Sequence, residues 1–166
     1  MNKNKHLSLS ERVLIEVHLC NKLSFKAIGR ELGKDSTTIA KEIKNHIRYK
    51  RSGGYGRPFN DCLHRNNCSV TNICGKSGCR RKLCQFCHST SCTDTCTDYK
   101  REICSQLSKP PYVCNGCKKR KSCTLEKRLY DASYAQNEYE LVRSESRQGI
   151  LLSENEPQRQ FSPLVD

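Results

Sequence analysis

The stretch "CRRKLCQFCHSTSCTDTC", residues 79–96, sets five cysteines into eighteen positions with basic residues at one end. Of the chain's 13 cysteines, 12 fall between Cys62 and Cys123. Thiolates at this density can ligate soft metal ions or cross-link as disulfides, and both staple a chain that cannot fold on its own core. Few residues of 62–123 are apolar besides cysteine, Leu63, Val70, Ile73, Leu83, Phe86 and Ile103 among them, so a staple is required.

Two CxxC pairs, Cys84/Cys87 and Cys114/Cys117, have the tight spacing that puts two thiolates on one tetrahedral zinc ion, and a shared ribbon-like site is one reading of them. Cys62, Cys68, Cys74, Cys79, Cys92, Cys96, Cys104 and Cys123 supply ligands for two further four-cysteine sites, with His64 and His88 as substitutes. The expectation is up to three zinc ions, their excess negative charge offset by Arg80, Arg81, Lys82, Lys118, Lys119 and Arg120. Disulfides, redox sensing and an iron–sulfur cluster remain alternatives, and one sequence does not say which cysteines share a site. Disulfides suit a secreted scaffold, yet "MNKNKHLSLSER" has no signal-peptide apolar run. Cys20, the thirteenth, reads as a buried inert thiol on the first helix.

Charge points to the partner. The net charge is +13, and it is uneven: residues 1–61 carry 13 Lys and Arg against 6 Asp and Glu, residues 62–123 carry 12 against 3, and residues 124–166 carry 5 against 8. A polycation over two-thirds of the chain favours a polyanion such as nucleic acid. No apolar run approaches the roughly 20 residues that cross a bilayer, so a soluble, cytoplasmic, nucleoid-associated bacterial protein without membrane partners is expected.

The elements that would present this charge to DNA lie at the N-terminus. "SLSE" is a capping box, Ser8 with Glu11, opening a first helix whose apolar stripe reads as Leu9, Val13, Val17 and Cys20, closed by Asn21. Ser24 caps a second, with Phe25, Ile28 and Leu32 inward and Gly33 as its stop; Asp35 caps a third, with Ile39 and Ile43 inward. Ile28, Gly29, Leu32, Gly33 and Ile39 follow the helix-turn-helix pattern, Gly29 allowing close helix approach. Ser36, Thr37, Thr38, Lys41, Lys44 and Asn45 then form the outer face of a recognition helix over 36–46, types that reach base edges and phosphates, with the helix N-terminus favouring phosphate. The following "IRYKRSGGYGRPFN" adds Arg48, Lys50, Arg51 and Arg57 as an arm along the backbone or minor groove; a plain flexible linker is an equal reading. From Thr124, "LEKRLYDASYAQNEYELVRSES" reads as one helix with the stripe Leu125, Leu129, Ala132, Ala135, Tyr139 and Val142. The expected layout is mainly α: a three-helix helix-turn-helix head (1–48), a basic Gly-rich linker (49–61), an irregular cysteine-rich zinc-binding module (62–123), one C-terminal helix (124–147) and a disordered tail (148–166).

Residues 6–45, and most tellingly "LSFKAIGRELGKDSTTIAKEI" and "YGRPFNDCLHR", resemble the N-terminal domain of insertion-sequence-30 family transposases; cysteine-rich members are similar through "YVCNGCKKRKSCTLEKRLYDASYAQNEYE". The resemblance implies binding of double-stranded terminal inverted repeats, with Ser36, Thr37, Lys41 and Lys44 at matching recognition positions. In that family a second helix-turn-helix and a ribonuclease-H-like domain with two Asp and one Glu follow. This chain ends at "ENEPQRQFSPLVD" and has no series of apolar β-runs, so the expectation is a truncated transposase without catalysis of its own. Asp94, Asp98 and Asp131 are not assigned to catalysis. Such a chain is expected to partner intact transposase or a second copy, competing for the repeats. A stand-alone transcription regulator with a zinc or redox-sensing module, and a cytosolic zinc or redox protein, are the alternatives.

Overall fold

The computed structural model describes residues 6–80 and 83–154. Its elements run α1 (Leu9–Cys20), α2 (Phe25–Glu31), α3 (Ser36–Asn45), β1 (Ile47–Lys50), three short 3-10 turns within the cysteine-rich segment, β2 (Lys127–Tyr130) and α4 (Ala132–Glu154). The arrangement is mainly helical, with one two-stranded sheet.

The local signals of the head operate as expected. Ser8 and Glu11 form the complete capping box of α1, Ser24 accepts from Ala27 N at the start of α2, and Asp35 accepts from Thr37 N at the start of α3. Asn21 closes α1, and Gly33 follows α2 at φ 60°. Ile28, Ile39 and Ile43 are fully buried.

The face of α1 is a correction. Leu9, Val13 and Val17 are 46%, 44% and 47% exposed and Cys20 is exposed, whereas Arg12, Ile15 and Leu19 are buried. The sequence "LSERVLIEVHLC" carries two apolar stripes, and a helix can turn either one inward. Packing selects the stripe containing Arg12 because that guanidinium finds partners inside, described below.

The C-terminal helix begins later than expected. Residues Lys127–Tyr130 are not helical but pair antiparallel with β1, Ile47 opposite Tyr130 and Lys50 opposite Lys127. Asp131 then starts α4, accepting from Tyr134 N at 3.0 Å, and Glu16 of α1 accepts from Ala132 N at 2.9 Å, placing negative charge at the N-terminus of the helix. Ala132 and Ala135 are buried and Tyr139 lies against Arg12, while Leu125 and Leu129 lie outside the helix and Val142 is 61% exposed. The helix continues to Glu154, past the expected tail boundary; residues 155–166 of that tail lie outside the described residues, as do Arg81 and Lys82.

Nor is residue 48 a packing boundary. One apolar cluster joins Leu7, Ile15, Leu19, Ile28, Ile39 and Ile43 of the head to Val113, Tyr130 and Ala135. Full burial of each large aliphatic side chain stabilises by about 1.5–3 kcal/mol. The segment expected as a linker is also fastened. Asn60 N donates to Thr124 O at 2.9 Å and Thr124 Oγ1 donates to Asn60 O at 3.0 Å, tying the start of the cysteine-rich segment to its end. The buried Lys127 amine donates to Ser52 O (2.5 Å), Ser52 Oγ (3.0 Å) and Cys123 O (2.9 Å), and burial lowers its pKa.

Candidate nucleic-acid interface and the cysteine groups

The approach of α2 to α3 depends on a missing side chain. Gly29 O accepts from Lys34 N at 2.8 Å, and a Cβ on Gly29 would stand 2.6 Å from Lys34 O. Only glycine lets the turn fold back so tightly, and this turn sets the angle at which α3 leaves the body of the head.

On α3, Thr37, Thr38, Lys41, Lys44 and Asn45 are exposed and Ser36 is half-buried. Their engagement differs. The Thr37 hydroxyl donates to Asp35 Oδ1 at 2.6 Å, beside the 2.7 Å bond from Thr37 N. Both bonds from Thr37 hold the Asp35 carboxyl below its usual range. An intrachain carboxylate thus caps the N-terminus of α3. The Lys44 ammonium stands 4.3 Å from the centroid of the Tyr112 ring. Among the described residues Lys41 has no ion-pair or ring partner, so its charge is the one on α3 directed wholly to solvent or a ligand.

The arm cations are held along the sheet and the cysteine-rich segment. Arg48 pairs with Asp131 at 2.9 Å; Arg51 lies 3.5 Å from Glu126 and 3.7 Å from Asp94; Arg57 sits over the Phe86 ring at 5.8 Å. Lys50 is exposed on β1, on the same side of the strand as Arg48. These contacts account for Asp94 and Asp131 as partners of arginine, and for Asp131 as the cap of α4.

Residues that sequence reasoning left aside hold α3 in place. Glu42, on its inner side, takes a 2.7 Å ion pair from Arg12 and a 3.0 Å hydrogen bond from the Tyr130 hydroxyl. Burial, and then Glu42, push the Tyr130 phenol well above the ordinary tyrosine range. Tyr112 lies 6.0 Å from the Phe25 ring as well as under Lys44, so the cysteine-rich segment reaches both helices of the motif. Nothing local in the sequence marks these roles, since each partner is distant along the chain.

Among the described residues, which include all thirteen cysteines, no disulfide forms. Cys62, Cys68, Cys84, Cys92 and Cys96 line one cavity of about 20 Å³. Cys114 lies elsewhere: its N–H donates to Arg128 O of β2 at 2.6 Å, burial pushes its thiol up, and the thiols that add to this are Cys117, Cys123 and Cys104. The two CxxC turns share one backbone bond, from the N–H of the second cysteine to the carbonyl of the first, at 3.0 Å in Cys84/Cys87 and 3.1 Å in Cys114/Cys117. Cys84 lines the cavity, and Gly116 seats the other turn on the end of α1, where a Cβ would stand 2.5 Å from Leu19 O. Cys74, Cys79 and Cys87 do not line the cavity, and His64 and His88 are exposed. Among the described residues no three His, Cys, Asp or Glu side chains already stand in an arrangement that would hold a metal ion.

No helix among the described residues is long and apolar enough to cross a membrane. No solved structure matches the chain. An uncharacterized 14.4 kDa protein in the laf 3' region of Lactobacillus acidophilus is 36% identical over 75 residues, 40% of this chain and 58% of that protein. The chain therefore spans little more than half the length of this curated relative. Residues 3–46 match the family model described as a helix-turn-helix domain, and these residues contain α1, α2 and α3. The N-terminal head is a helix-turn-helix domain, the kind of unit that docks on DNA.

Proposed function

We propose that this chain binds duplex DNA by seating α3 in the major groove, and that it does so as the site-recognition part of a transposase of the insertion-sequence-30 type, on terminal inverted repeats. The observation that carries the reading is the outer face of α3. Thr37, Thr38, Lys41, Lys44 and Asn45 project from a helix whose inner side is locked by buried Ile39 and Ile43 and by the Glu42 pair. Short hydroxyl and amide side chains read base edges, and lysines neutralise phosphate. The +13 charge supplies long-range attraction to the same polyanion. Arg48, Lys50, Arg51 and Arg57 extend the positive face beyond α3, where contacts to the backbone position the protein without reading sequence.

Selection from a pool of random duplexes by the purified full chain tests this. The reading predicts enrichment of one sequence, and the occurrence of that sequence as an inverted pair bounding a mobile element in the source genome. Enrichment of a sequence found only upstream of genes would leave the DNA-binding half standing and remove the transposon half. No enrichment over the input pool would remove both.

A further inference from the structure

The cavity lined by Cys62, Cys68, Cys84, Cys92 and Cys96 sets five sulfurs beside the neutral side chains of Asn60, Thr93 and Tyr99 and the Arg65 guanidinium. No carboxylate and no imidazole lines it. Two of its sulfurs already accept N–H donors, Cys84 Sγ from Ile73 N at 3.3 Å and Cys92 Sγ from Asn60 Nδ2 at 3.7 Å. Cys96 N donates to Cys92 O at 2.9 Å, so these two cysteines share one turn, with the three-residue spacing that presents two ligands to one ion. Thiols gathered on one half-buried cavity can be held together by a single soft cation that takes the place of their protons.

We propose that Cys68, Cys84, Cys92 and Cys96 are the ligands of a tetrathiolate site for a soft divalent metal ion, zinc by its donor set, with Cys62 as the fifth thiol of the cavity. The donors are sulfur, which excludes the oxygen-seeking calcium and magnesium. Cys62 is set apart because its backbone is tied on both sides, its N–H donating to Asn60 Oδ1 at 2.9 Å and its carbonyl accepting from Arg65 Nη1 at 3.1 Å. On binding, four metal–sulfur bonds form, the thiol protons pass to solvent, and no sulfur changes oxidation state. The sulfurs line the cavity without yet converging on one point, so binding draws the Cys92–Cys96 turn and the Cys84 turn inward. This would cross-link the segment 62–123 at its middle, where its apolar residues are too few to hold it. None of Cys104, Cys114, Cys117 and Cys123 lines this cavity, and the site does not depend on what DNA the head binds.

The test uses the full chain, reduced, loaded with zinc and desalted. Native mass spectrometry counts the ions. Cys84→Ser and Cys92→Ser are each expected to carry one zinc fewer than the wild type, and the double variant also one fewer, because both remove the same ion. Cys20→Ser, exposed on α1 and outside the cavity, is expected to keep the wild-type count. A wild type without zinc, or a double variant that loses two ions, overturns the site. If a variant does not fold, alkylation of the zinc-loaded wild type decides: Cys68, Cys84, Cys92 and Cys96 are expected to react only after a chelator is added, Cys20 from the start. Equal reaction of all five with and without chelator overturns the proposal, as does a mass short by pairs of hydrogens, which reports disulfides.

Discussion

Arg12 Nε stands 2.7 Å from Glu42 Oε1, with the two side chains only 3% and 10% exposed. The same arginine donates to Leu7 O at 2.7 Å and to Gln136 Oε1 at 2.6 Å, and the Tyr130 hydroxyl donates to the same glutamate oxygen. Thus α1, α3, β2 and α4 meet on one ion pair. The pair faces away from the exposed side of α3 and fixes how that side is presented.

Arg12→Ala leaves Glu42 buried and unpaired. Removing one partner of a buried ion pair destabilises by about 3–5 kcal/mol. Urea unfolding followed by circular dichroism should show a loss of this order. Arg12→Met combined with Glu42→Leu, which removes both charges and restores volume, should recover most of it. A loss below 1 kcal/mol for Arg12→Ala would place the pair in effective contact with water.

Gly29→Ala should destabilise the head by roughly 1–3 kcal/mol, the scale of inserting one carbon where there is no room. The backbone Lys34 O stands in its way at 2.6 Å and is not free to swing aside as a side chain is. Because the turn also sets the angle between α2 and α3, binding to duplex DNA should weaken even where the variant remains folded. Wild-type stability and affinity together would contradict the close approach.

Acid should loosen the start of α4. The hydrogen bond from Tyr134 N, followed by the pair with Arg48, holds the Asp131 carboxyl below its ordinary range. Its contribution is therefore present above the unfolded-state value, near 4, and is lost as pH falls through the lower folded-state value. Asp131→Asn keeps a side-chain oxygen for the cap but has no charge to lose. Plotted against pH, the variant's unfolding midpoint should fall less steeply than the wild type's below about pH 4. Parallel curves would contradict the role of the carboxylate.

Lys41→Ala should weaken binding to all duplexes similarly and lower the slope of log affinity against log salt by about 0.9, the value of one phosphate contact. Lys44→Ala is expected to do the same with a smaller loss of affinity, because the Lys44 charge already rests on the Tyr112 ring. Titrations by fluorescence anisotropy at several salt concentrations measure both. An unchanged slope for Lys41→Ala would take that lysine away from the phosphates.

The parts legible in the sequence are those decided locally. Ser8, Ser24 and Asp35 cap helices through residues two or three positions away, and Gly29 with Gly33 marks the turn, so three helices and the motif could be located from order alone. The choice of buried face on α1 was not legible, because Arg12 looks like a surface residue until Glu42 and Gln136 are beside it. The strand Lys127–Tyr130 was hidden for a similar reason: its apolar residues fit a helical stripe, and only the distant partner Ile47–Lys50 makes it a strand. The cysteine spacing raised the expectation of metal ligation in residues 62–123, whereas the gathering of Cys62, Cys68, Cys84, Cys92 and Cys96 at one cavity is a matter of loop packing that no periodicity encodes.

The most direct test of the account compares wild type with Thr38→Ala and Asn45→Ala, on the selected duplex and on a scrambled duplex of equal length, at one salt concentration. These side chains are exposed on α3 and uncharged, so they add nothing to general attraction. If α3 reads the bases, at least one variant should lose the preference for the selected duplex by roughly 5- to 150-fold, the effect of about 1–3 kcal/mol per base contact, while binding the scrambled duplex as before. Preference unchanged in both variants would mean that α3 does not read the bases, and the central claim would fall.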